Sequence, residues 1–246
     1  MQLEQDFVAL VTGCSRRCGA LLASQLKQAG ADVIGHFRTM TDDVERLDAM
    51  GCTMIQADLT NHDQLLHMID YIMKHYSHLS LLIHNASSFE VVDSDYQASL
   101  KQLQHFIDVH VSAPFAINEA LSPLLLKCPQ QHANLIHITD IYVDNPAPKY
   151  RSYCAAKAGL HSLYMSYAKL LAPKVRVNAI QPGPVQFLPS HTQQQQQDIL
   201  GQTLLNVEGG YGPIYEAVKF LVLNPYVTGA SIKVDGGRSL TEWKSV

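Results

Sequence analysis

Tyr153 and Lys157 stand at i and i+4 in the run Ser152-Tyr-Cys-Ala-Ala-Lys157, which follows a proline-broken loop. On a helix this spacing puts both side chains on one face. A free phenol ionises near about pH 10, and an ammonium group held beside it favours the phenolate, bringing its proton within reach of neutral chemistry. The pair therefore points to acid–base catalysis, with Tyr153 as the acid and Lys157 as its tuner. The same spacing also suits two outward residues on an amphipathic helix, so the elements that would carry the pair have to be considered.

The chain has 246 residues, a 47% hydrophobic fraction and a formal net charge of −4. It reads as one α/β domain over 1–246 with a sizeable core. Its basic residues are scattered, which argues against a nucleic-acid surface. The apolar stretch near the start, Phe7 to Val11, is too short for a membrane span or signal peptide, so a cytoplasmic protein is expected. Five cysteines follow no zinc or disulfide pattern, and twelve histidines contain no His-Glu-x-x-His. No metal site is inferred.

Phe7 to Val11 is an apolar run without alternation, as expected of a strand buried on both faces of a parallel sheet. Thr12-Gly-Cys-Ser-Arg-Arg-Cys-Gly19 follows, then a helical stretch from Ala20 to Ala29 stopped by Gly30. A glycine-bearing turn between strand and helix directs backbone N–H groups and the positive helix end at a diphosphate. Further strands are expected at Ala31 to Phe37, around Met54 to Leu59, at Leu79 to Asn85 and at Val175 to Ile180, with helices between them. This predicts a Rossmann-type, doubly wound parallel sheet with helices on both faces. Ligands of such sheets gather outside the carboxyl ends of the strands, so Gly13, Asn85 and Tyr153 should face one crevice. A long helix is expected from Leu100 to Lys127, with Pro114 disturbing its hydrogen bonds locally.

The glycine loop with Tyr153-x3-Lys157 resembles the short-chain dehydrogenase/reductase family, whose usual loop is Thr-Gly-x3-Gly-x-Gly. Here the middle glycine is Arg17, which resembles the pteridine reductase branch. The resemblance covers nearly the whole chain. It implies that Gly13, Ser15, Arg16, Arg17, Gly19, His36, Arg38, Thr39, Asp58, Asn85, Ala86, Ser87, Tyr153, Lys157, Pro182 and Gly183 surround a dinucleotide. At the tip of the second strand no acid awaits a ribose hydroxyl, whereas Arg38 and Thr39 suit the extra phosphate of NADPH. Asp58 also reads simply as an acid capping the helix that starts near His62.

In the branch, Arg17, Ser87, Phe89, Asp140 and Tyr153 border a pterin, with Phe89 stacked on the flat ring. Asp140 stands where the wider family places a catalytic serine; an aspartate suits the N–H-rich edge of a pterin and can relay a proton, or it can cap a loop. His110 replaces an asparagine that usually supports the proton relay. The resemblance thus implies NADPH-dependent reduction of a dihydropterin, with dihydromonapterin, dihydrobiopterin and dihydrofolate as candidates, by a cytoplasmic homo-oligomer, usually a tetramer. Asp140, Tyr153 and Lys157 would be its catalytic residues. A carbonyl or acyl-carrier reductase and a non-catalytic NADP sensor are the alternatives. A variable substrate lid is expected over about 184–212, with the glutamine tract Gln193 to Gln197 as a loop insertion within it.

Overall fold

Short apolar runs without polar alternation become central strands because both of their faces are covered. The computed structural model describes residues 3–187 and 192–241. Its strands are β1 (Val8–Val11), β2 (Asp32–Phe37), β3 (Thr53–Gln56), β4 (Leu81–His84), β5 (Ala133–Ile138), β6 (Val175–Pro182) and β7 (Ser231–Val234). They form one 7-stranded sheet in the order β3-β2-β1-β4-β5-β6-β7. Every pairing is parallel; Val11, for example, lies between Gly35 and Ile83. The chain runs outward from β1 to β3 and then returns to place β4 on the other side of β1. That reversal opens a crevice at the carboxyl ends of β1 and β4.

Helices α1 (Arg17–Gln28), α2 (Asp42–Ala49), α3 (His62–His75), α4 (Tyr96–Ile107), α5 (Ala113–Leu126), α6 (Arg151–Leu170), α7 (Gln193–Leu200) and α8 (Gly212–Leu223) connect the strands. Alternate residues of β1 point to opposite layers. Val8 and Leu10 join a core with Leu65, Met68, Ile117 and Tyr164 from α3, α5 and α6. Ala9 and Val11 join one with Leu22, Leu26, Leu47 and Val218 from α1, α2 and α8. Among the described residues, no helix is long and apolar enough to cross a membrane, and no group of three or more His, Cys, Asp or Glu side chains is placed to hold a metal ion.

Two expectations change. The helix expected from Leu100 to Lys127 is three pieces: α4, a π turn at Asp108–Ser112, and α5. Pro114 lacks the N–H that would close the α-helical bond to the carbonyl of His110, and the chain takes the wider register just ahead of it. The glutamine tract is not a loop insertion. It is helix α7, because glutamine forms helices well and Thr192 with Gln195 closes a capping box at its start. Residues 188–191 of the expected lid lie outside the described residues.

The glycine loop is fixed by contacts that leave no room for a side chain at two points. Gly13 has φ +79°, and a Cβ there would meet Ala86 Cα at 2.7 Å. At Gly19 it would lie 2.1 Å from the Gly13 carbonyl oxygen. Gly19→Ala should therefore cost about 1–3 kcal/mol in unfolding free energy and weaken dinucleotide binding, read by urea denaturation and cofactor titration. Wild-type values in both would contradict this packing.

Candidate active site

The crevice is organised by Thr12, at the end of β1. Its hydroxyl accepts the N–H groups of Asn85 and Ala86, each at 3.0 Å. The Asn85 amide returns two bonds, to the carbonyls of Thr12 at 2.9 Å and Gly13 at 3.2 Å. This reciprocal staple fixes the loop after β4 against the loop after β1. From below, His36 accepts the Gly13 N–H on Nδ1 at 3.1 Å and donates Nε2–H to the carbonyl of Ala57 at 2.9 Å. Burial holds its imidazole below its ordinary pKa, so the ring is neutral. His36 is thus a support of the loop backbone, not a ligand-facing side chain as the family resemblance suggested. Thr41 adds a tether by donating its hydroxyl to the carbonyl of Ser15. Thr12 opens the glycine-loop motif, but its staple to Asn85 and Ala86, like the Thr41 tether, joins segments distant along the chain and does not show in the sequence.

No side chain caps the start of α1, so its first N–H groups are open toward the crevice. Arg16 is extended and exposed. Arg17, also exposed, has φ +56°, a left-handed conformation that costs about 1–2 kcal/mol in a residue with a Cβ. Among the described residues its guanidinium makes no hydrogen bond; it lines a shallow cavity of about 260 Å³ with Leu21 and Tyr211. Among the described residues Arg17 makes no hydrogen bond to Ser87 or Asp140, and the cavity it lines includes none of Ser87, Phe89 and Asp140.

On the other side of the loop, Arg38 and Thr39 are exposed at the end of β2. Asp58 is half-buried and accepts the N–H and hydroxyl of Thr60 on one oxygen, at 2.9 and 2.8 Å. Burial opposes its ionisation, but those bonds and the charge of Arg38 hold it below the ordinary carboxylate value. It does not cap α3; Asn61 does. Gly183, after Pro182 at the end of β6, is pressed against Asp235, where a Cβ would come within 2.7 Å.

The candidate catalytic group, Asp140, Tyr153 and Lys157, forms where β5 ends and α6 begins. Asp140 uses its two oxygens separately. Oδ1 accepts the Tyr142 N–H at 2.9 Å, capping the short turn Ile141–Val143, and Oδ2 accepts the Tyr153 hydroxyl at 2.8 Å. Lys157 donates to the carbonyl of Ile138 at 3.0 Å and lies 5.7 Å from the centre of the Tyr153 ring. Tyr153 and Lys157 are buried, at 4% and 2% exposure, so the outward-facing alternative is excluded. Phe89 is 44% exposed; its ring lies 4.4 Å from that of Tyr150 and edge-on to Tyr153 at 4.8 Å. Tyr150 and Tyr142 extend this aromatic wall and were missed in sequence because nothing in their local pattern sets them apart.

The expected direction of acidity is corrected. Burial, and then the Asp140 carboxylate, hold the Tyr153 phenol well above its ordinary value, and Lys157 does not tune it downward. Burial lowers Lys157 itself to about 8. Burial raises Asp140 from 3.8 to about 6, outweighing the Tyr142 N–H, Lys157 and Tyr153. The groups brought toward neutrality are thus the Asp140 carboxyl, from below, and the Lys157 ammonium, from above, and not the phenol.

A family model described as "Enoyl-(Acyl carrier protein) reductase" matches residues 14–239. The chain is 33% identical over 240 residues to a dihydromonapterin reductase of Klebsiella pneumoniae, covering 98% of this chain and 100% of that protein. It is 31% identical to the dihydromonapterin reductase of an Escherichia coli strain over the same share of each chain, 98% and 100%. Among solved structures, a Pseudomonas aeruginosa RhlG/NADP active-site complex superposes with a TM-score of 0.86 at 26% identity, covering 97% of this chain and 98% of that one.

The half-buried Asp140, whose carboxyl is desolvated, has a consequence for stability. Its folded pKa is raised, so the folded state holds the proton more tightly, and stability should fall as pH rises from 3.8 toward about 6. Asp140→Asn has no such ionisation. The melting temperature of the variant minus that of the wild type should increase between about pH 4 and about pH 7; a difference independent of pH would contradict the raised carboxyl.

The staple of Thr12 and Asn85, the buried Tyr153 and Lys157, and the match of the family model to most of its length together place the chain in the short-chain dehydrogenase/reductase family.

Proposed function

We propose that this protein is an NADPH-dependent reductase of a dihydropterin, acting on 7,8-dihydromonapterin or a close analogue to give the tetrahydro form. The observation that carries this reading is Asp140: a carboxyl group raised to about 6 and bonded to the Tyr153 hydroxyl stands where a carbonyl reductase needs a neutral hydroxyl. An ionised carboxylate repels a ketone oxygen. A carboxyl group can accept from ring N–H groups and, when protonated, donate to a ring nitrogen. The names of the relatives at 31–33% identity agree with this reading.

The residues present fit a dinucleotide. The glycine cradle, the uncapped start of α1 and the Asn85 staple suit a diphosphate, and Arg38 suits a further phosphate. NADPH held there supplies hydride to C6 of the substrate's N5=C6 bond. Phe89 offers a ring face to the pterin, with Tyr150 behind it. Asp140 gives its proton to N5, directly or through water, and the Tyr153 hydroxyl then donates to the carboxylate that remains. Lys157 supplies positive charge beneath both. Arg17 is free to close on the ligand, which would account for a strained arginine where glycine would relax the backbone. The segment over 184–212 serves as the lid, and α7 is part of it. We take the enzyme to be a cytoplasmic homo-oligomer, a tetramer by family resemblance. The name of the family model favours a second reading, reduction of an acyl-carrier substrate, but Asp140 is a poor partner for its carbonyl.

NADPH consumption against dihydromonapterin, dihydrobiopterin, dihydrofolate, a ketone and an enoyl thioester separates these readings. Turnover of a dihydropterin is expected. Ready reduction of the ketone or thioester with none of the dihydropterins would overturn the proposal, and no turnover at all would favour an NADP sensor. Arg38→Ala should weaken NADPH binding by about 1.5–3 kcal/mol, the worth of a charge-assisted bond, and leave NADH nearly unchanged. Equal loss of both by calorimetry would refute the phosphate assignment.

A further inference from the structure

His110 replaces an amide side chain with an imidazole whose hydrogen-bond directions can be worked out. It lies in the π turn Asp108–Ser112 with 0% exposure. Its Nδ1 is 3.0 Å from the carbonyl of Phe106 and its Nε2 is 2.9 Å from the Ser87 hydroxyl. A carbonyl can only accept, so Nδ1 carries the proton. Burial, followed by the charge of Lys157, keeps the ring neutral. Nε2 is then bare, and Ser87 must donate to it. The Ser87 hydroxyl is also a hydrogen-bond neighbour of the Tyr153 hydroxyl; a hydroxyl has one proton, so with that proton on His110 Ser87 can present only lone pairs to Tyr153 and to the crevice.

We infer that His110 is a positioning residue that locks Ser87 as an acceptor toward Tyr153 and so gives the chain Asp140–Tyr153–Ser87–His110 a single proton direction when Asp140 is protonated. In that state the Asp140 O–H donates to the Tyr153 oxygen, Tyr153 donates to Ser87, and Ser87 donates to His110. When Asp140 gives up its proton, the Tyr153 hydroxyl turns to the carboxylate, as in the 2.8 Å bond seen here. Without the imidazole acceptor, the Ser87 proton would be free to point at the Tyr153 oxygen, holding Tyr153 toward Asp140 and favouring the ionised carboxylate. His110 therefore favours the acid form of the proton donor. The inference rests on the reading of Asp140 as that donor.

The other titratable groups facing this chain are Lys157 and Cys154 from α6, His105 from α4 and Tyr142 after β5. Arg238 and Tyr150 act on Tyr142. Replacing a neutral His110 by Leu or Gln changes no charge, so a shifted titration would report the hydrogen-bond direction itself.

The experiment compares the pH dependence of kcat for wild type, His110→Leu, His110→Gln, Ser87→Ala and the His110→Leu/Ser87→Ala double variant, using any substrate the enzyme reduces. Wild-type kcat should fall as pH rises through about 6, as Asp140 loses its proton. His110→Leu should move that midpoint down by about one unit, the scale of one hydrogen bond, with the KM for NADPH unchanged. His110→Gln, whose carbonyl can accept from Ser87, should restore it. The double variant should shift no further than Ser87→Ala alone. A lower kcat with an unmoved midpoint, or additive shifts, would overturn the inference.

Ring ¹⁵N shifts of His110 in the unliganded protein provide a test that needs no substrate. The neutral Nδ1–H tautomer is expected at neutral pH, and an Nε2–H tautomer or a cation would refute the lock. Absence of dihydropterin reduction with the Nδ1–H tautomer intact would remove the substrate assignment and leave the His110 geometry standing.

Discussion

A carboxyl group with little access to water must be neutral, paired or hydrogen-bonded, and the site follows from how this chain meets that demand at Asp140. The carboxyl leaves the end of β5 and is bonded by Tyr142 N–H and by the Tyr153 hydroxyl, with Lys157 tied beneath it to the carbonyl of Ile138. These bonds only partly offset burial, so the proton is held up to about 6. A serine at this position would have no such reservoir. In the proposed function, a carboxyl group at this position serves a ring nitrogen that needs a proton, where a hydroxyl would serve a carbonyl oxygen that needs a donor.

The surrounding fold supplies rigidity in proportion to that demand. Thr12 and Asn85 staple two loops at the switch point, and His36 fixes the glycine turn from beneath. Behind β4 and β5 a second polar group lies in the core: His84 bonds Asn118 at 2.7 Å, and the rings of His84 and His137 lie 4.9 Å apart. Burial lowers His84 to about 4, so these rings are neutral packing elements and add no charge to the field at Asp140. Arg17 is the exception to this rigidity, a strained backbone carrying a guanidinium that makes no hydrogen bond among the described residues. Strain held at a ligand-facing loop is consistent with a side chain kept for binding and not for stability.

Much of this was legible in the sequence. Non-alternating apolar runs gave the central strands, the spacing of Tyr153 and Lys157 gave a shared helix face, and the family resemblance drew Asp140, Ser87 and Phe89 to the same crevice. What was not legible depends on long-range contact. The spacing of Tyr153 and Lys157 suggests a lowered phenol, but the sign reverses because Asp140 bonds the hydroxyl and burial excludes water. His36 sits at a strand tip yet turns to backbone groups of two other segments. The glutamine tract looks like low complexity, and only its capping residues, Thr192 and Gln195, mark it as a helix. Pro114 signalled a disturbance, but not that the resulting π turn would carry His110 to Ser87.

The account depends most directly on the protonation of one carboxyl group. Titration of the Asp140 side-chain carboxyl by ¹³C NMR in aspartate-labelled protein, assigned by comparison with Asp140→Asn, measures it without substrate or cofactor. The account predicts a midpoint near 6, well above the ordinary 3.8, and a midpoint at or below that ordinary value would contradict it.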